Sequence, residues 1–343
     1  MRVWEIAHGS SVTGPRPYLL GLLRVSPPCG SKAKDTPPDG KKIIDEWAKR
    51  EPAIQSVRFR WVKVTTGDLP LKPRRDKKPL PPPATPLESK EVLIIKGDRM
   101  RFQTAGPAYN KRSNAYVNQE YVSNFDGATN KVFYDLSGSA PWRVGFITKR
   151  AENQDCDNYH LRPIMLFCLR LSPRYSPFKG AGECRLGDTE KEIQRRRCRA
   201  IIKGDESYWF DPSKNNAVLL YEVTAGGSFV LRQEIFYKDD PKYGPIPSRW
   251  VTKVFGRNNV ARESSSVTVI SYEINKPLSD HVFDMILPAG TEVREDKEPY
   301  PNILITDGKR SSTPIQWPMS SLLAGSNSDT VIFSSPRRVF SPW

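Results

Sequence analysis

Cys156 and His160 stand four residues apart, close enough to share one face of a helix as a nucleophile–base couple or half of a metal site. Asp155 and Asp157 flank the thiol and read as a helix cap. His8 and His281 are the other histidines of the 343-residue chain, and neither brings a second ligand pair or an oxyanion-forming motif to the couple. "GAGEC", ending at Cys184, lacks the lysine and the spacing of a phosphate-binding loop. The cysteines are Cys29, Cys156, Cys168, Cys184 and Cys198. They form no C-x-x-C pair, which removes zinc-ribbon and thioredoxin-like readings. The last four could close two disulfides in an exported chain or stay reduced and buried, and spacing leaves both open. No catalysis, metal or cofactor is therefore expected. The function is sought in a surface that binds.

Charge narrows the partners. Lys and Arg total 53 against 38 Asp and Glu, a formal +15. That field favours nucleic acid, phospholipid head groups or acidic envelope polymers. Basic residues crowd between Arg58 and Arg101 and again in "RRRCR" from Arg195 to Arg199. In "VRFRW" and "RMRFQ" arginines alternate with large apolar residues, as on a base-stacking sheet. Opposite parity puts the two sets on opposite faces, however, and a stacking platform needs both on one, so nucleic acid is disfavoured. No stretch approaches the roughly 20 apolar residues of a membrane span. "YLLGLLRV" (Tyr18 to Val25) resembles a short export signal without a small-residue cleavage site.

The elements that must carry such a surface are mostly strands. Residues 1–38 lack periodicity and read as a disordered leader or degenerate export signal. "PDGKKIIDEWAKREP" reads as a helix capped by Asp39, with Ile43, Ile44, Trp47 and Ala48 on one face and Pro52 ending it. From Gln55 the period becomes two: Val57, Phe59 and Trp61 share one face, Arg58 and Arg60 the other. The parity then slips at Val62 and Val64, which predicts a bulge or a strand covered on both sides. Hairpins are expected at Gly97-Asp98, Asp126-Gly127 and Ala225-Gly226-Gly227. "NYHLRPIMLFCLRL" (Asn158 to Leu171) predicts a second helix with Pro163 in its first turn or at a kink. Prolines, 31 in all, gather in loops such as "PLPPPATP". About ten strands follow one another with few, early helices, the pattern of an antiparallel meander rather than of βαβ units. Residues 39–294 form the domain, and 295–343 a Pro- and Ser-rich tail.

This order of elements resembles the bacterial outer-membrane lipoprotein carrier (LolA-like) superfamily, over about residues 40–294. The pieces that carry the resemblance are Trp209, Phe210, Asp211 and Pro212 opening a pair of long strands; Pro245 and Pro247 before the next; and a closing Phe283, Pro288 and Gly290. It implies an unclosed antiparallel β half-barrel whose concave apolar face is covered by helices and shields acyl chains in transit. It also implies a periplasmic or cell-envelope location. The long termini and the Pro-rich insertion depart from a minimal carrier.

The residues reach a compatible reading by themselves. In "FVLRQEIFY" Phe229, Leu231, Ile235 and Tyr237 share one parity while Val230 and Phe236 share the other, so neither face is simply wetted. A hollow between a curled sheet and its helices could hold a lipid or lipoprotein acyl chain at about 0.8 kcal/mol per buried methylene. Phe59, Trp61, Met100, Phe102, Tyr221, Phe229, Leu231 and Trp250 are its candidate lining, or equally a plain packed core. Arg58, Arg60, Arg99 and Arg101 are the candidate basic rim for an anionic head group. A monomer is expected. An envelope adaptor with a filled core, meeting a protein partner, is the competing reading.

Overall fold

The computed structural model describes residues 39–67, 86–110, 115–135, 143–149, 158–168, 184–225, 227–256, 259–295, 302–306 and 309–311. The leader, most of the Pro-rich loop and the tail beyond 311 lie outside them, as does Cys156.

Helix α1 (Asp39–Ala48) takes Asp39 into its first turn and ends before Pro52, where a fixed φ and a missing N–H stop it. Ile44 and Trp47 are buried and Ile43 half-buried; Ala48, assigned to the same face by spacing, is exposed at the helix end. The chain then enters one long run of antiparallel strands: β1 (Ser56–Gly67), β2 (Leu87–Lys96), β3 (Arg99–Asn110), β4 (Ala115–Phe125), β5 (Thr129–Asp135) and β6 (Arg143–Lys149). A 3-10 turn (Tyr159–Leu161) leads into α2 (Arg162–Cys168), and Pro163 sits in its first turn, where its missing donor costs nothing. The second run is β7 (Arg185–Leu186), β8 (Lys191–Ile193), β9 (Arg196–Lys203), β10 (Glu206–Asp211), β11 (Ala217–Ala225), β12 (Ser228–Asp240), β13 (Gly244–Phe255) and β14 (Ala261–Ile274). After a 3-10 turn (Asp280–Phe283) come β15 (Thr291–Glu295), β16 (Asn302–Thr306) and β17 (Lys309–Ser311). The sheet thus continues past residue 295.

Pairing joins the two runs through the first strand of one and the last of the other. From β1 the ladder runs one way through β2, β3, β4, β5 and β6, and the other way through β14, β13, β12, β11, β10 and β9. Beyond β6 it continues in parallel to β15 and then to β16 and β17; beyond β9 lie β7 and β8. Among the described residues the two ends do not meet, so the sheet is unclosed and, but for β6–β15, antiparallel. The register against β14 shifts between Arg60 and Trp61, where Ile270 of β14 is the extra residue; β1 itself runs regularly against β2 and keeps its parity, so Val62 and Val64 simply lie on the face opposite Trp61. The Gly97-Asp98 hairpin forms as expected, with Gly97 at φ 57°.

Both faces of this sheet are covered, which explains why apolar residues appear on both parities. The larger core gathers apolar residues of β1–β3 and β9–β14 around α1 and α2, so the sheet curls about the helices. On the convex side, Val122, Phe133 and Val293 pack with Met285 and Leu287 of the segment after Asp280–Phe283. A third cluster joins Ile193 and Cys198 to Ala217, Leu219 and Leu220 beneath the β8–β9 hairpin.

Candidate functional site

Residues opposite one another in a ladder share a face, so the concave surface can be read across the strands in rows. One row is Tyr208, Tyr221, Gln233, Thr252, Ser265 and Thr65, from β10 to β1. The next holds Ile235, Trp250, Val267 and Lys63. Phe59, Leu93 and Phe102 line up across β1, β2 and β3. Phe59, Trp61, Met100, Phe102, Tyr221, Leu231 and Trp250 are all buried and all belong to the one concave core. Trp61 bridges its halves, stacking on Phe102 at 6.2 Å and meeting Trp250 at 5.9 Å between ring centres. Phe229 pairs with Thr224 in the ladder, and its side chain lies outside the described residues.

The space these residues surround is occupied by the chain itself. Pro163, Ile164, Met165, Leu166, Phe167 and Cys168 of α2 are buried without a break, and Leu161 before them is fully buried. A helix that is apolar all round has no face to give to water. Phe167 meets Phe59 edge to face at 6.1 Å, and Arg162 lies over the Tyr221 ring at 5.3 Å. Between α1, α2 and β11 a gap of only about 10 Å³ is left, beside Trp47, Phe167 and Val218.

At one end the lining turns polar. Glu91, fully buried, accepts from Trp61 Nε1 at 2.8 Å and pairs with Lys63 Nζ at 2.6 Å. Gln233 Nε2 donates to Thr252 Oγ1 at 2.8 Å and to the Tyr159 carbonyl at 3.0 Å. Four buried atoms here have no partner: Gln233 Oε1, Trp250 Nε1, Ser265 Oγ and His160 Nδ1. Burial, with Lys63 nearby, holds the His160 imidazole well below its ordinary value. Burial likewise raises the Tyr159 phenol, with Glu263 adding to it, and raises the Glu263 carboxyl, which Lys63 partly offsets. The hollow is therefore apolar along its length and polar at one end.

The four arginines of the expected rim lie on the convex face. Arg58 meets Glu273 at 3.4 Å, Arg99 pairs with Asp280 at 3.0 Å, and Arg101 donates to the Val282 carbonyl at 3.1 Å. Arg60 is exposed. Three of the four thus hold neighbouring chain, Arg99 and Arg101 the Asp280–Phe283 turn. Sequence reasoning missed Gln233, Thr252 and Ser265; the signal was a polar residue on an otherwise apolar parity, as Gln233 is between Leu231 and Ile235. It also named the helix of residues 158–171 without seeing that its contiguous apolar run meant complete burial. Among the described residues no cluster of His, Cys, Asp or Glu could hold a metal ion, and no helix is long and apolar enough to cross a membrane.

No family model matches the chain, and no curated protein matches it. Among solved structures the chain is similar to a LolA superfamily protein from Nitrosomonas europaea, at 11% identity and a TM-score of 0.37, over 71% of this chain and 96% of that one. It is also similar to a DUF1329 family protein from Desulfovibrio piger, at 8% identity and 0.35 over the same shares. The similar structures thus include a member of the superfamily that the sequence resembles. At these scores the likeness carries no weight for the site, whose reading rests on the chain's own residues.

Proposed function

We propose that the half-barrel binds a long-chain amphiphile, a lipid or the acyl chain of a lipoprotein, along its concave face without catalysis, and that α2 is the resident occupant which the ligand replaces. The observation that carries this reading is α2 itself: a seven-residue helix, buried on every side, filling a curl that the strands leave unclosed. Such a helix is too short to persist alone and exists because the hollow receives it. Gln233 bonds the Tyr159 carbonyl in the turn before it, Arg162 at its start lies over the Tyr221 ring, and Ile164 to Phe167 are buried in the apolar core.

Magnitudes decide which ligands could compete. Exposing Ile164, Met165, Leu166 and Phe167 costs about 6–12 kcal/mol at about 1.5–3 kcal/mol for each side chain. An acyl chain recovers about 0.8 kcal/mol per methylene, so roughly 8 to 15 buried carbons balance the exchange, and the seven apolar carbons of octanoate, at about 5.6 kcal/mol, fall short. The unpartnered polar atoms of Gln233, Ser265, Trp250 and His160 favour an amphiphile over plain hydrocarbon, because a carboxylate or hydroxyl head could accept from Trp250 Nε1 and Ser265 Oγ, and a hydroxyl could also donate to Gln233 Oε1. A role in the cell envelope goes with such a cargo.

A fatty-acid series tested by displacement of fluorescent cis-parinaric acid examines this directly. Palmitate should displace the probe and octanoate should not. Phe167→Ala, which weakens the occupant, should tighten binding; Trp250→Ala, which damages the wall, should weaken it. The filled hollow also suits an adaptor that meets a protein partner. That reading predicts no probe uptake by any of the three proteins, and such a result would replace the carrier reading with it.

A further inference from the structure

The β8–β9 hairpin turns on Gln194 and Arg195, since Ile193 pairs directly with Arg196. Both turn residues have positive φ, 53° and 61°. Turns of this kind suit Asn and Gly, and the same molecule uses Asn215 and Asn216, each at φ 54°, in another turn. Gln194 and Arg195 carry side chains that resist the left-handed region. Strain of this sort persists only where the surroundings hold it in place. Here they do: Gln194 Nε2 donates to the Ile235 carbonyl at 3.1 Å, and Ile193 and Cys198 are buried in the cluster with Ala217, Leu219 and Leu220. Lys191 is engaged too, bonded to both Glu222 oxygens at 3.0 and 3.1 Å and lying over the Trp209 ring at 5.0 Å.

This anchored hairpin borders a surface cleft of about 610 Å³. Arg195, Arg196, Arg197 and Arg199 line it, against the carboxylates of Glu190 and Asp211. Asp211, almost fully buried, is taken up by Arg196 Nη1 at 2.9 Å and by the Ser213 amide and hydroxyl at 2.8 and 2.7 Å. Burial alone would raise its carboxyl, but those bonds outweigh burial and hold it below the ordinary value. Arg196 is thereby fixed. Arg195, Arg197 and Arg199 are exposed and enter no ion pair among the described residues. Three uncommitted guanidinium groups beside one fixed one, on a rigid hairpin, match the several acceptor oxygens of a phosphate far better than the single charge of a carboxylate.

We propose that this cleft is an anion site for a phosphate-bearing group, separate from the concave hollow, in which Arg195, Arg197 and Arg199 clamp the phosphate oxygens. The shared chemistry is a phosphate with more than one anionic oxygen, free in solution or at the head of a lipid. Titration calorimetry of the full chain with inorganic pyrophosphate, and sedimentation with phosphatidylcholine vesicles containing phosphatidic acid, separate the two sources. Uptake of pyrophosphate identifies a free phosphate ligand; retention on the vesicles without a response to pyrophosphate identifies a lipid head group. In either case Arg197→Gln with Arg199→Gln should weaken binding by about tenfold or more, as the loss of charge-assisted bonds implies. Arg195→Asn should weaken binding and at the same time raise the thermal midpoint, because it removes a charge and relaxes the turn. Lys253→Gln, an exposed charge on another strand, should change neither. No binding by the unaltered protein in either format, or equal losses in Lys253→Gln and the arginine variants, would overturn the assignment.

Discussion

The two covers of the sheet are built on different principles. On the convex side, the segment around Asp280–Phe283 is fastened by directional bonds: Lys96 and Arg99 to Asp280, Arg101 to the Val282 carbonyl, Asn124 Nδ2 to the Phe283 carbonyl at 2.6 Å, and Arg143 to the Ala289 carbonyl. On the concave side Ile164, Met165, Leu166 and Phe167 of α2 are held by apolar burial, while Gln233 bonds the turn just before the helix and Arg162 at its start lies over the Tyr221 ring. A cover fixed by directional bonds can be replaced only by something that reproduces their geometry. A cover fixed by apolar contact can be exchanged for any apolar body of similar size, because the hydrophobic effect has no direction. On the proposed reading, this difference is what assigns the guest to the concave face.

Substitutions at the wall, at the concave occupant and at the convex fastening should separate these principles. Trp250→Ala removes a fully buried ring from the wall and should lower global stability by about 3–5 kcal/mol in urea denaturation. Phe167→Ala removes a comparable ring from α2, yet its loss should appear first as local opening. The amides of residues 162–168 should exchange much faster, while the global midpoint falls by less than for Trp250→Ala. Asn124→Ala breaks one buried bond of the convex cover and should cost about 1–3 kcal/mol, expressed globally because that segment does not open alone. Equal local opening in both covers would remove the distinction.

The smallest effect is one of pH. His160 is half-buried with its Nδ1 shut off from water, and its folded-state value lies below the ordinary 6.5, so the opened state takes up a proton more readily than the closed one. Closure is therefore at full strength above about pH 6.5 and weakens as pH falls below it. Once the intrinsic pH dependence of amide exchange is divided out, the protection of the α2 amides should fall from pH 7.5 to 5.5, and His160→Leu should flatten that response.

Much of the fold is legible in the sequence because period-two patterning and turn residues are local. The parity of Phe59 and Trp61, the Gly97 turn and Pro163 at a helix start all come from neighbours in the chain, whereas the irregularity beside Arg60 belongs to Ile270 of β14. What escaped is either short or long-range. β7 and β8 have two and three residues, too few to show a period. Gln194 and Arg195 give no turn signal because they are the wrong residues for the turn they make. The parallel pairing of β15 with β6 joins Glu292 to Val144, and nothing near either announces the other. At the site, the aromatic wall could be named from parity, but its filling could not. Whether a hollow is empty depends on where a distant helix comes to rest, and the run from Pro163 to Cys168 reveals only that it must be buried somewhere.

Hydrogen–deuterium exchange of the full chain, with and without palmitate below its aggregation threshold, tests the central claim most directly. The account predicts that palmitate accelerates exchange across residues 161–168 while slowing it in β1 and β13, as the fatty acid takes the place of α2 against Trp61 and Trp250. Unchanged or slower exchange in α2, with palmitate bound, would contradict it.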